Sequence, residues 1–329
     1  MNVIAVRDNT KEFIEALDCR GQTKDASYIC KQFTRVMENL YSGCQKTVTG
    51  IFQDNATRKS WKLIEEKHPW IVAGACQPHV LDLLLEDVGK LHLCTSTMDD
   101  VHKVRGFLRR YEKVSYIFNN LQASAIRRPG DTRFAMNCIS MRDMYTNKSA
   151  IMATFNSSEL HEFMLVSKNS KGKDGQTVKS FHDQCKNIIG EESFWDKLRW
   201  ALKAMEPIEK LLRFAEVDGP TLSKMHARWI DMIEDLGRLE EEGADQGFVD
   251  DVLERAYYRF EYGYNILMAA GYILDPQFID CPLSAEDNEA LLVYVRKYFG
   301  SSEPEEDPVS DEKLTLIEHQ FRLQLSQYR

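Results

Sequence analysis

The sequence predicts a small α/β front followed by a large all-helical body, and three observations carry that fold class. Short apolar or alternating runs, bounded by turn residues, alternate with helical segments over the first 75 positions. After residue 76 apolar side chains recur at spacings of three and four with little interruption. The 329 residues are 43% hydrophobic and 28% charged, enough for a sizeable core and for two domains or one elaborated domain.

In order, MNVIAV and Glu12 to Leu17 read as two strands of a hairpin, turned at Arg7-Asp8-Asn9-Thr10. KDASYICKQFTRVMENLYSG places Tyr28, Ile29, Phe33, Val36, Met37 and Leu40 at helical spacing and stops at Gly43. Val48 to Phe52 is a third strand, Asn55 to His68 a helix ended by Pro69, and Trp70 to Ala75 a fourth strand. Two antiparallel strands followed by α-β-α-β predict one mixed sheet with helices packed on it. Helices follow at 78–93, 100–121, 131–152 and 157–166, then the polar loop SKNSKGKDGQT. Three long helices are expected at 191–215, 222–242 and 247–271, the first kinked or divided at Pro207. No fixed-period repeat is visible. The expected domains are 1–95 (α/β), 96–300 (helical), 301–312 (acidic linker) and 313–329 (a last amphipathic helix).

No apolar run approaches the roughly 18 to 20 residues needed to cross a bilayer, and MNVIAVRDNT lacks the pattern of a secretion signal. The reading therefore places the protein inside the cell, with no membrane partner. Eight scattered cysteines without a Cys-x-x-Cys pair suggest neither a disulfide framework nor a four-thiolate zinc site. Net charge is −9, which argues against a surface built wholly for phosphate backbones. Yet residues 103 to 133 hold eight basic side chains (Lys103, Arg105, Arg109, Arg110, Lys113, Arg127, Arg128, Arg133) against two acidic ones. Such a segment suits one polyanion-facing patch or a solvated basic helix face.

Three stretches could carry chemistry. In FQDNATRKSW, Asp54 ends a strand, where a carboxylate can serve as metal ligand or general base; it can equally start the following helix, as Asn55 can. In GACQPHVLDLLLEDVGKLHLC, Cys76 and His79 precede a helix with a strong apolar face, and Asp82 and Glu86 fall on the other face, with Lys90 placed to pair Glu86. A zinc finger through Cys76, His79, His92 and Cys94 is disfavoured, because a rigid helix would hold the two pairs about 20 Å apart. In RRPGDTRF, Arg133 and Phe134 open a helix beside Arg127 and Arg128; they suit a phosphate and a stacked base, or a structural clamp and a core ring. Trp195, Trp200 and Trp229 lie in helical patterns and read as core anchors, and no glycine-rich phosphate loop or nucleophile elbow is present.

Taken together and in order, six stretches resemble the central part of hAT-superfamily transposases: DCRGQTKDASYI, VTGIFQDNATR, HPWIVAGACQPHVLDLLLEDVGKL, PGDTRFAMNCISMRDMYTNKSAI, FWDKLRWALKAMEPIEKLLRFAEVD and AAGYILDPQF, spanning roughly residues 18 to 280. The resemblance implies a ribonuclease H-like sheet interrupted by a large helical insertion, nuclear localisation, and DNA cut and joined by two divalent ions, Mg²⁺ or Mn²⁺, held by three acids. Asp54 matches the second acid. Cys76 and His79 match the Cys-x-x-His motif near the active site, and Arg133 and Phe134 match a Thr-Arg-aromatic motif associated with DNA.

The same resemblance places the first acid on a strand ahead of MNVIAV, and the third acid and the dimerisation segment beyond RLQLSQYR; a BED zinc finger is not seen either. The chain is accordingly expected to be truncated at both ends, with the first strand of the sheet missing and the sheet either slotted or closed up. One aspartate cannot hold two ions about 3.5 to 4 Å apart, so no bound metal and no cleavage by this chain alone are expected. The resulting expectation is a transposase-derived, domesticated or remnant protein that retains nucleic-acid binding, with a homodimer left open. The alternatives are an active metal-dependent nuclease using substitute or in-trans acids, and a helical interaction scaffold with no DNA role.

Overall fold

The computed structural model describes residues 1–7, 10–40, 45–54, 57–121, 123–127, 135–171, 175–217, 221–281, 284–301 and 309–328. The expected fold class holds: four short strands accompany fifteen α-helices among the described residues. The strands do not form the single mixed sheet expected from the sequence. They form two separate pairs, β1 (Asn2–Arg7) antiparallel to β2 (Thr10–Ala16), and β3 (Gly50–Gln53) parallel to β4 (Val72–Ala75). The first pair is a hairpin closed by its own neighbours in sequence, with a register shift between Val3 and Ile4. Joining it to β3 would require a non-local pairing across α1 (Ala26–Leu40), which no local pattern encodes.

Two compact units make up the chain. One comprises Met1–Val80, Leu211–Asp231 and Tyr258–Arg329; the other comprises Leu81–Lys210 and Met232–Tyr257.

In the first unit, α1 starts where the Asp25 carboxylate accepts the Tyr28 N–H at 2.8 Å, and its buried stripe of Ile29, Cys30, Val36 and Met37 follows from helical spacing. Cys30 and Met37 pack with Ile51 of β3, Ile64 of α2 (Lys59–Lys67), Trp70 and Ile71. Trp70 and Ile71, expected to open the fourth strand, precede it instead and are buried in this cluster. Trp229 is fully buried in α11 (Leu222–Gly237) and donates its Nε1–H to the Gln77 Oε1 at 2.9 Å. A second cluster joins α13 (Ile266–Leu274) and α14 (Ala285–Gly300) through Ala270, Ile273, Leu291 and Val295, with Ile317, Phe321 and Leu325 of α15 (Asp311–Tyr328) packed against it.

Among its described residues the second unit is built of helices joined by short loops, with one isolated bridge between Lys171 and Thr177. Phe107 of α4 (His92–Arg110) sits among Tyr111, Phe155 of α7 (Lys148–Phe155) and Phe181 of α9 (Val178–Gly190), with ring centroids 5.2 to 5.6 Å away. Helices expected at 100–121 and 131–152 are each divided. Tyr111 separates α4 from α5 (Glu112–Asn120), and Asn147 separates α6 (Ala135–Thr146) from α7. α8 (Ser158–Ser167) starts at Ser157, whose hydroxyl accepts the Leu160 N–H. By contrast α10 (Glu192–Glu216) runs through Pro207 undivided.

The expected helix at 78–93 ends earlier, as α3 (Gln77–Gly89), before α4 begins at His92; the one at 247–271 is α12 (Gln246–Gly263) followed by α13. None of the seven described cysteines forms a disulfide, and Cys30, Cys94, Cys138 and Cys185 are buried. No helix among the described residues is long and apolar enough to cross a membrane.

Candidate functional site

The parallel pair builds the site. Register partners run from Gly50 with Val72 to Gln53 with Ala75, and the Cys76 N–H continues the ladder to the Gln53 carbonyl at 2.8 Å. Asp54 and Cys76 therefore leave the carboxyl ends of neighbouring strands side by side, the edge where open α/β folds place ligands. Pro78 lies in the first turn of α3, where its missing N–H costs nothing, and His79 follows it.

His79 Nε2 lies 2.7 Å from Asp54 Oδ1. The His79 side chain is 32% exposed and that of Asp54 63%, so the pair meets solvent on one side.

Asp54 joins the start of α2 through its backbone and not through its side chain. α2 has Arg58 at its N-cap with no side-chain cap bond, and the Thr57 N–H and hydroxyl bond the Asp54 backbone carbonyl at 3.0 and 2.7 Å. The backbone of Asp54 thus holds the turn into the helix while its carboxylate faces His79. Asn55, the other cap candidate, lies outside the described residues.

Cys76 stands at the same edge. Burial pushes its thiol up, the His79 backbone N–H opposes that, and the Asp54 charge adds to the rise, so the group is a protonated thiol at neutral pH. Beneath the edge, the Gln77 Nε2 donates to the Gly263 carbonyl at 2.6 Å, tying the start of α3 to the end of α12. A Cβ on Gly263 would stand 3.1 Å from Val80 Cγ1 and 3.4 Å from Gln77 Nε2, so the glycine admits this close approach.

Beside the pair are groups the sequence reading did not single out. The Arg58 guanidinium lies 5.0 Å from the centre of the Tyr262 ring, and the Trp61 ring is 6.3 Å from it. Arg259 covers Tyr258 at 5.5 Å. Burial raises the Tyr262 hydroxyl pKa, Arg58 and Arg259 lower it, and Tyr258 and Asp54 raise it, so all four lie within its electrostatic reach. The available signal was the stretch RAYYRFEYGY, residues 255–264, dense in tyrosine and arginine.

Among the described residues the donor set around Asp54 does not fit a two-metal centre. Among the described residues no group of three or more His, Cys, Asp or Glu side chains is placed to hold a metal ion. Of the acids the sequence offers as substitutes, Asp18 bonds Arg20, Glu206 bonds Arg142 at 3.0 Å and Glu216 is the last residue of α10; Asp8 and Asp218 lie outside the described residues. One carboxylate with one imidazole offers a proton acceptor and an oriented ring, short of the near-octahedral oxygen shell that Mg²⁺ demands.

The basic segment lies in the second unit and much of it is engaged internally. Lys103 pairs with Asp100 at 2.9 Å, and Arg105 donates to the Ile126 carbonyl at 3.1 Å. Arg110 stacks over Phe181, while Arg109, beside it at the end of α4, is exposed.

Arg127 grips Asp143 through Nε and Nη2 at 2.9 and 2.8 Å, and its backbone N–H adds a third bond. Burial raises the Asp143 carboxyl, but these donations outweigh it and hold the group below its usual value. Arg128, Arg133 and Phe134 lie outside the described residues. The expected Glu86–Lys90 pair is present at 2.6 Å. Trp195 and Trp229 are buried as expected, whereas Trp200 is half-buried under Arg199 and Lys203.

Fold and site together define an α/β protein with a solvent-facing acid–imidazole pair at the carboxyl edge of a parallel strand pair and an extensive helical region. Residues 1–104, which contain that pair, match the family model described as Domain of unknown function (DUF659). No curated protein and no solved structure matches the chain.

Proposed function

We propose that this chain is a transposase-derived, DNA-binding nuclear protein of hAT-like ancestry with a ribonuclease H-like core, and that by itself it binds DNA without cutting it. The observation that carries the reading is the meeting of Asp54 and His79. Two positions singled out in separate strand-end motifs converge at 2.7 Å on one strand edge. The DUF659 match over the same residues supports it, since that family is generally associated with hAT-like transposase regions. Separation of cutting from binding rests on the donor set, because two-metal phosphoryl transfer needs several converging carboxylates and Asp54 is one.

Binding is tested by gel shift with duplex DNA. The expected result is a complex at about 50 mM salt that weakens as salt rises and weakens further in an Arg109→Ala/Arg110→Ala variant. Absence of any shift at that salt would sink the DNA-binding reading. Incubation with Mg²⁺ or Mn²⁺ and end-containing DNA is expected to leave the strands intact. Nicks that vanish in Asp54→Ala would instead establish the active-nuclease alternative.

A further inference from the structure

We infer that the surface formed by Arg58, Tyr258, Arg259 and Tyr262 is a lane for unpaired nucleotides that leads to the Asp54–His79 pair. The inference deepens the DNA-binding reading and rests on it for the identity of the ligand class. Its own content is different: a strand-specific contact in the first unit, independent of the basic segment.

α12 divides its aromatics by face. Phe260 turns inward, 5.7 Å from Trp229, and packs 5.9 Å from Tyr264 one turn on. Tyr258 and Tyr262, offset by two residues from that pair, share another face, with Tyr258 60% exposed. Four residues of helix set their Cα atoms about 6 Å apart along the axis, so the two rings lie on one strip of surface.

Each ring already carries an arginine. Arg58 lies over Tyr262 and Arg259 over Tyr258, so a base stacked on a ring finds a guanidinium at hand for its phosphate. Arg58 is exposed, as is Lys59 beside it at the start of α2. Three cations, Arg58, Lys59 and Arg259, border this surface, and Asp54, Glu254 and Glu261 are acids close to it in sequence or space.

The ligand follows from that chemistry. Rings that stack on any base, alternating with cations that follow a backbone, recognise single strands with little sequence preference. A duplex keeps its bases inside and could use only the charges. The lane ends beside Asp54, because Arg58, which lies over Tyr262, directly follows the turn that the Thr57 N–H closes on the Asp54 carbonyl, so a strand lying along it brings a phosphate toward the acid–imidazole pair.

The test is fluorescence anisotropy of the full chain with a fluorescein-labelled single-stranded oligonucleotide and with its duplex at low salt. Tyr258→Ala is expected to weaken single-strand binding about 5- to 100-fold and to change duplex binding less than twofold, while Tyr258→Phe keeps both. Arg58→Ala is expected to weaken single-strand binding and to flatten its log–log salt dependence by about 0.7. Both sites are at the surface, and a thermal melt of each variant confirms that it remains folded. Duplex binding that survives alongside single-strand binding indifferent to Tyr258→Ala and Arg58→Ala would overturn the lane and leave the DNA-binding reading standing. Failure to bind either oligonucleotide would overturn both.

Discussion

The side chains of this protein differ sharply in what their pairings contribute to stability. Asp54 and His79 meet at the surface, where an ion pair contributes about 0 to 1 kcal/mol. Asp54→Asn and His79→Ala are therefore expected to leave the calorimetric melting midpoint nearly unchanged. Arg142 is the opposite case. Its guanidinium bonds Glu206 at 3.0 Å and Glu209 at 2.5 Å, and the Glu209 side chain is only 4% exposed. Arg142→Ala is expected to cost about 3 kcal/mol or more in urea denaturation, because a buried carboxylate loses its cation.

Buried His68 and partly buried His226 set a pH dependence. Burial pushes His68 below its ordinary 6.5, with Lys67 adding and Glu38 opposing; burial likewise lowers His226 against the pull of Asp287. The unfolded chain then binds protons that the folded chain refuses. Stability present above about pH 6.5 is lost as pH falls from there toward the lowered folded values, and His68→Asn should flatten the decline in urea midpoint. At this scale the sequence showed Asp54, Cys76 and His79 as candidates, because strand ends and helix starts are local patterns. It did not show that Asp54 meets His79, nor that Arg58 meets Tyr262, since those meetings depend on which strands and helices become neighbours.

Helices and strands were legible to the extent that their signals were local. The hairpin, α1 and α2 followed from alternation, spacing and Pro69, but α9 and α14 were passed over. Their starts were nonetheless written in Thr177 and Ser284, whose hydroxyls accept the Ser180 and Asp287 N–H groups at 3.1 and 2.9 Å. The polar loop ahead of α9 and the short apolar stripe of Leu291 and Val295 in α14 masked them.

Glycine placement gives a sharp test of element packing. A Cβ on Gly271 of α13 would stand 3.0 Å from Ser223 Cα and 3.2 Å from Ser223 N, both backbone atoms of α11. Gly271→Ala is expected to cost about 1 to 3 kcal/mol by thermal or urea melts. Gly190, at the end of α9, has nothing within 4 Å of its notional Cβ, so Gly190→Ala should be neutral or stabilising by up to about 1 kcal/mol.

For the whole molecule, class was readable and connectivity was not. Strand count and helix content came from pattern, whereas the division into two strand pairs is a matter of long-range pairing. The hairpin's tethers include buried Leu17, the Glu15–Arg35 ion pair at 2.9 Å and the Lys11 Nζ bond to the Val217 carbonyl at 3.1 Å. It leaves Ile4, Val6 and Phe13 exposed. Two strands alone are marginal in water, so this ribbon opens at a free energy well below that of global unfolding. Its amide hydrogens should exchange with deuterium long before those of β3 and β4, as read by mass spectrometry of peptides from the two regions. A protease that needs an extended, unpaired substrate should therefore make its first cuts within residues 1–16, releasing the ribbon while the parallel pair stays whole.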